Sequence, residues 1–160
     1  MRAAGPSRQK AASAGSGESL EPGNSPGFLL WRATLRWQRL MTATLRPLGL
    51  THVQFVLLAS VWWLTRQAAE TPTQRRVADH AGTDPMMTSQ VLRLLEQRGL
   101  VGRVAHPTDT RARQLAVTDV GAELAQRAIA LVEAADADFF EPASGRRPLI
   151  EFLRTLADER

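Results

Sequence analysis

The chain contains no cysteine. Disulfides, thiolate metal sites, thiol nucleophiles and thiol redox sensing are therefore excluded. Lysine is almost missing: of 20 basic residues, every one but Lys10 is arginine. No apolar run approaches the roughly 18 residues that a membrane span requires. The first residues carry charge without the apolar stretch of a secretory leader, so a soluble, cytoplasmic protein is expected. The three histidines, His52, His80 and His106, fall on separate segments without metal-ligand spacing. No glycine-rich phosphate loop follows a strand. Neither a catalytic centre nor a metal or cofactor is expected, and an enzyme is the most distant reading.

What is present suits one globular domain with a tail. The 160 residues are 44% hydrophobic and 22% charged, enough to bury a core. Abundant arginine fits bidentate recognition of phosphate or guanine. Together with abundant alanine it fits a GC-rich coding sequence equally well. The net charge of +4 is unevenly spread. Arg32, Arg36, Arg39 and Arg46 stand between residues 28 and 65 with no acid among them. Residues 66–113 are again net basic, and residues 114–160 net acidic. A basic middle suits a polyanion. The basic beginning and acidic end are complementary, within a chain or between chains, although solvated helix faces give the same pattern.

Residues 1–27, rich in Gly, Pro and small residues, read as a disordered tail. Leu30, Ala33, Trp37, Leu40, Met41 and Leu45 recur at helical spacing, and Pro47 and Gly49 end that helix. Thr51 caps a helix over 52–66 that is apolar on both faces, the mark of a central element. Thr73 caps Gln74–Ala81, which Gly82 stops. Asp84 and Pro85 open a helix to about Arg98 whose inner face is Thr88, Val91, Leu92 and Leu95. The period then changes. Leu100 to Ala105 and Gln114 to Val117 read as a hairpin around a polar turn over 106–112. Thr118 caps a long helix with Val120, Leu124, Ala128, Leu131 and Ala135 on one stripe. A last helix, about 147–158, carries Leu149, Phe152, Leu153 and Leu156.

Two short helices joined at a glycine and followed by a hairpin form a winged helix-turn-helix. The expected class is mainly α with a small β-hairpin (α+β). Residues 51–117 make the DNA-binding domain, and 28–50 with 118–160 a helical dimerisation region. The second short helix should enter the major groove, with Pro85, Met86, Ser89, Gln90 and Arg93 on its reading side. Gln90 and Ser89 suit base edges, and Met86 or Met87 a thymine methyl or the core. Thr73, Arg75 and Arg76 suit phosphates. At the wing, Asp109 fixes the turn so that Arg111 or Arg113 reaches DNA, or Asp109 and Arg111 simply pair. The expected partner is double-stranded DNA with a palindromic operator, bound by a homodimer. The alternative is a winged-helix protein–protein module. Trp37, His52, Phe55 and Trp62 offer walls for a small aromatic ligand, or simply pack as core.

These segments together resemble the multiple-antibiotic-resistance regulator (MarR) family over about residues 28–160. The resemblance rests on Leu50–Leu58, Val77–Gly82, the Leu94-Leu95-Glu96-Gln97-Arg98-Gly99-Leu100-Val101 block, Asp109-Thr110-Arg111 and Thr118-Asp119-Val120-Gly121. It implies a dimeric winged-helix transcription factor, usually a repressor, released by a small aromatic or phenolic ligand. The family's wing commonly carries a basic residue where Thr110 stands, so Arg111 or Arg113 must make the wing contact here. The cysteines of the family's peroxide-sensing branch are absent.

Overall fold

The computed structural model describes residues 25–68, 71–105, 113–143 and 145–157, with only the backbone of Ala105, Arg113 and Arg146. The expected tail up to residue 24, the wing turn with Asp109 and Arg111, and the Arg113 side chain lie outside the described residues. Among the described residues, the chain divides into two units between Leu35 and Arg36.

Helix α1 spans Pro26–Leu45, two residues earlier than expected from Phe28. Its first half, which belongs to the first unit, exposes Phe28, Leu29, Leu30 and Trp31. A 3₁₀ turn, Arg46–Leu48, follows, and Gly49 ends it in the left-handed region at φ 63°. Helix α2 (His52–Trp62) opens with a reciprocal cap. The Thr51 hydroxyl accepts from the Gln54 N–H, and the Gln54 side chain accepts from the Thr51 N–H. Two donors that the helix cannot pair internally are thereby satisfied. A π-helical turn, Trp63–Gln67, extends α2.

Helix α2 is central, as its all-round apolar character implies: it packs against α3 (Gln74–Ala81), α4 (Pro85–Gln97), α5 (Asp119–Phe140) and the hairpin. Leu57, Leu58, Val61 and Leu64 are fully buried there, with Met41, Leu45, Leu92, Leu95 and Leu115. Its end is not central. Trp63 is exposed and stacks on His80 of α3, with ring centroids 5.1 Å apart.

Strands β1 (Val101–Ala105) and β2 (Arg113–Val117) pair antiparallel, Val101 opposite Val117. The segment before α3 adds to the open edge of β2. The Leu115 N–H donates to the Pro72 carbonyl at 2.8 Å, and Thr73 bridges Gln114. Arg103 on β1 donates to Glu96 on α4 at 2.8 Å. The hairpin is thus tied to both short helices.

The expected stripe of α5 holds in part: Ala128 is buried and Leu124 and Ala135 pack against the core. Val120 and Leu131 are 65% and 44% exposed, whereas Gly121, Ala125, Ala128 and Val132 are buried. The large aliphatics suggested the stripe, but the helix presents its small residues inward because it lies close to the hairpin base. A Cβ on Gly121 would overlap the Leu100 carbonyl. Helix α6 (Arg146–Ala157) leaves Ile150, Phe152, Leu153 and Leu156 exposed. No single described helix is long and apolar enough to cross a membrane.

Candidate nucleic-acid interface

The first turn of α4 is built by its cap. One carboxylate oxygen of Asp84 accepts the N–H groups of both Met86 and Met87, each at 2.9 Å. Pro85 presets the backbone at the first helical position. Thr88 faces inward and fully buried; its hydroxyl donates to the Asp84 carbonyl and lies 2.8 Å from the Thr83 hydroxyl. With Thr88, Val91, Leu92 and Leu95 on the core side, the opposite face is fixed by helical geometry. That face presents Pro85, Met86, Met87, Gln90 and Arg93 to solvent, and Ser89 is half-buried beside them. Met86 is 73% and Met87 37% exposed, so neither methionine fills the core.

Thr73, Arg75 and Arg76 lie exposed at the start of α3. The Thr73 hydroxyl accepts the Arg76 N–H, which closes the helix end and leaves its own O–H as a donor. Sharp termination at Gly82, φ 62°, sets α4 at once against α3. Among the expected wing residues, Arg113 lies in β2, so its backbone position adjoins the described hairpin.

A second cluster forms where α1, α2 and α5 meet. The Trp37 and His52 rings meet edge to face with centroids 4.8 Å apart, and Phe55 stacks on His52 at 6.4 Å. The Trp37 indole N–H donates to Asp136 at 2.7 Å. Burial pushes the His52 pKa below its ordinary value, and the Asp136 charge opposes that shift. The imidazole packs between two aromatic rings, an environment that disfavours its charged form.

Trp62 does not join this cluster. It lies seven residues beyond Phe55, about 10 Å along the helix axis. There it borders one hollow with Arg66, Asp119 and Ala122, and another with Trp63, His80 and Ile129. The expected four-residue set therefore reduces to Trp37, His52 and Phe55, with Asp136 added.

The MarR family profile matches residues 50–112, the span from the start of α2 to the wing. A helix-turn-helix transcriptional regulator of Bacillus subtilis is 41% identical over 135 residues, covering 84% of this chain and 91% of the relative. The chain belongs to the MarR family. As such it is a transcriptional regulator. Among solved MarR-type structures, CouR of Rhodococcus jostii, bound to p-coumaroyl-CoA, superposes with a TM-score of 0.73 at 32% identity. That match covers 89% of this chain and 98% of CouR. Rv2887 of Mycobacterium tuberculosis, solved in complex with DNA, gives 0.63 at 31% identity over 83% of this chain and 98% of that one.

Within this MarR frame, two residues escaped the sequence reading. Asp136 meets a partner 99 residues away, and Arg98 reaches back 49 residues to Gly49. Neither contact has a local signature. The Leu94–Val101 block of the family resemblance does contain Arg98, but its spacing says nothing about what the guanidinium touches.

Proposed function

We propose that this regulator is a homodimeric, sequence-specific DNA-binding repressor. In this reading α4 enters the major groove, and α3 and the wing hold the flanking backbone. The observation that carries it is the outer face of α4. A rigidly capped helix presents Met86, Gln90 and Arg93 outward while its other side is locked into the core. Gln90 suits adenine, Arg93 guanine or phosphate, and the methionines a thymine methyl. Arg75 and Arg76, with Arg111 and Arg113 of the wing, take phosphates. Rv2887 is solved in complex with DNA, which supports DNA as the partner.

Residues 51–117 serve as the DNA-binding domain, and 28–50 with 118–160 as the dimerisation region. Exposed apolar side chains on both parts of the latter support that division: Phe28, Leu29, Leu30 and Trp31 on α1, and Phe152, Leu153 and Leu156 on α6. An open groove of about 550 Å³ between α5 and α6, lined by Phe140, Leu149 and Leu153 and rimmed by Glu133, Asp136 and Glu141, offers an acidic apolar seat. The basic α1 of a second copy complements it.

Release by a small planar aromatic ligand fits the Trp37–His52–Phe55 cluster. CouR is solved with p-coumaroyl-CoA and Rv2887 with salicylic acid, which supports a ligand bearing a phenolic ring as the class. A ligand favouring one arrangement of the two lobes shifts the dimer away from the half-site spacing that DNA requires. The protein acts in the cytoplasm, by binding rather than catalysis.

The test is selection of duplexes from a random pool, followed by binding across a salt series. Recovery of an inverted repeat whose affinity falls steeply with salt supports the reading. Failure to enrich any duplex, or salt-insensitive binding, returns the fold to a protein-docking module. Salicylate titration of tryptophan emission and of the DNA complex then tests the ligand: no change in either signal assigns the aromatics to the core.

A further inference from the structure

We propose that Arg98 is a positioning residue that fixes the reading helix to the α1–α2 corner and carries displacements of the Trp37–His52–Phe55 cluster to the DNA-reading face. The proposal rests on the assignment of α4 as the reading helix.

Arg98 follows the last turn of α4 and precedes Gly99, whose φ of 69° turns the chain into β1. It stands between reading helix and wing. One guanidinium nitrogen, Nη1, donates to the Gly49 carbonyl at 2.9 Å and lies 3.4 Å from Gln54 Oε1. Both acceptors belong to the corner between α1 and α2. Gln54 Oε1 also accepts the Thr51 N–H at 3.1 Å, so the atom that closes the cap of α2 is the atom Arg98 reaches. His52 is the first residue of that helix, and its ring packs against Trp37. A single corner therefore holds the aromatic cluster on one side and the end of the reading helix on the other.

The chemistry suits a strut. A guanidinium presents its donors in a rigid planar fork, and a positive charge is favoured at a helix C-terminus. Arg98 is exposed, and it stands about 18 Å along α4 from Met86 at the reading end. Its effect on DNA is then indirect. A displacement of His52 or Trp37 moves Thr51 and Gln54, the Arg98 anchor moves with them, and the tilt of α4 changes. By linkage, DNA binding must perturb the aromatic cluster in return.

The experiment uses the full chain and a duplex obtained by selection from a random pool. Three forms are compared: wild type, Arg98→Leu, which keeps the apolar stem without donors, and Arg98→Lys, which keeps the charge and a donor. All carry Trp31→Phe, Trp62→Phe and Trp63→Phe, leaving Trp37 as the reporter. In the wild type, duplex binding should change Trp37 emission. Arg98→Leu should weaken binding about tenfold and abolish the emission change, with an unchanged salt slope and the chain still folded under the binding conditions. Arg98→Lys should recover most of the affinity and the response. A Gln54→Met variant, which removes only the side-chain acceptor, should shift both signals the same way to a lesser degree.

Wild-type affinity and emission response in Arg98→Leu overturns the proposal. So does an affinity loss with a salt slope shallower by about one, which makes Arg98 a phosphate ligand. An unresponsive Trp37 in the wild type removes the coupling. If the wild type selects no duplex, the DNA-reading assignment itself falls, and the positioning role with it.

Discussion

The Trp37 indole donates a 2.7 Å hydrogen bond to the Asp136 carboxylate, joining α1 to α5 across 99 residues of sequence. Arg36, one residue earlier, lies over the Phe139 ring, 5.9 Å from its centroid, and reinforces the same junction. Removing the carboxylate strands a half-buried indole N–H. Asp136→Ala is expected to cost about 2 kcal/mol, the range for a hydrogen bond to a charged group, read as a lowered urea midpoint.

The same carboxylate influences His52. Burial lowers the His52 pKa and Asp136 raises it, burial having the larger effect. A histidine whose folded pKa lies below its ordinary value of 6.5 stabilises the protein in its neutral form. That contribution is present above the ordinary value and is lost as pH falls through the lowered one. Stability should therefore decline as pH falls below 6.5 and on through the lowered pKa, and His52→Gln should flatten the decline. Asp136→Asn should lower the His52 pKa further, as histidine NMR titration would show. An upward movement would reverse the assigned sign.

Gly121 is held by contact rather than by backbone angle. Its N–H is taken by the Thr118 hydroxyl at 3.0 Å, and the Leu100 carbonyl occupies the space a Cβ would need. Gly121→Ala must push α5 away from the hairpin base. The expected loss is about 3 kcal/mol, the upper range for overpacking, measured as a lowered midpoint. Gly82→Ala, with nothing near its added Cβ but a φ of 62°, should cost about 1 kcal/mol through strain alone. Equal losses at the two sites would contradict this distinction.

At the reading end, Asp84→Ala removes the acceptor of two backbone N–H groups. A loss of about 1–2 kcal/mol in stability is expected, with weaker operator binding as the first turn of α4 loosens. Gln90→Ala should leave stability unchanged but cost about 1–3 kcal/mol at one base pair and relax specificity there. If Gln90→Ala binds operator and random duplex like the wild type, the reading face lies elsewhere.

Exposed Phe152 and Leu156 make assembly testable without disturbing the folded unit. Phe152→Glu combined with Leu156→Glu should sediment as a monomer at a concentration where the wild type is a dimer. Affinity for a palindromic site should collapse with it, since each subunit then binds one half-site alone. A stable dimer in the double variant would remove α6 from the interface.

Local chemistry alone determined much of this molecule. The caps at Thr51, Thr73, Asp84 and Thr118, and the glycine stops at Gly49, Gly82 and Gly99, act between residues two to five apart. Their spacing marks the helices and the turn of the helix-turn-helix directly, and the inner face of α4 follows from periodicity. Tertiary structure decided the rest. Periodicity puts Val120 and Leu131 on one stripe with Ala128, but they face solvent, whereas Gly121, Ala125 and Val132 are buried and the Leu100 carbonyl leaves no room for a Cβ at Gly121. Trp62 has the composition of a pocket residue, and its place along α2 sets it apart from Trp37 and His52. Asp136 and Arg98 find partners 99 and 49 residues away. Such contacts depend on where whole elements come to rest, and no local spacing encodes that.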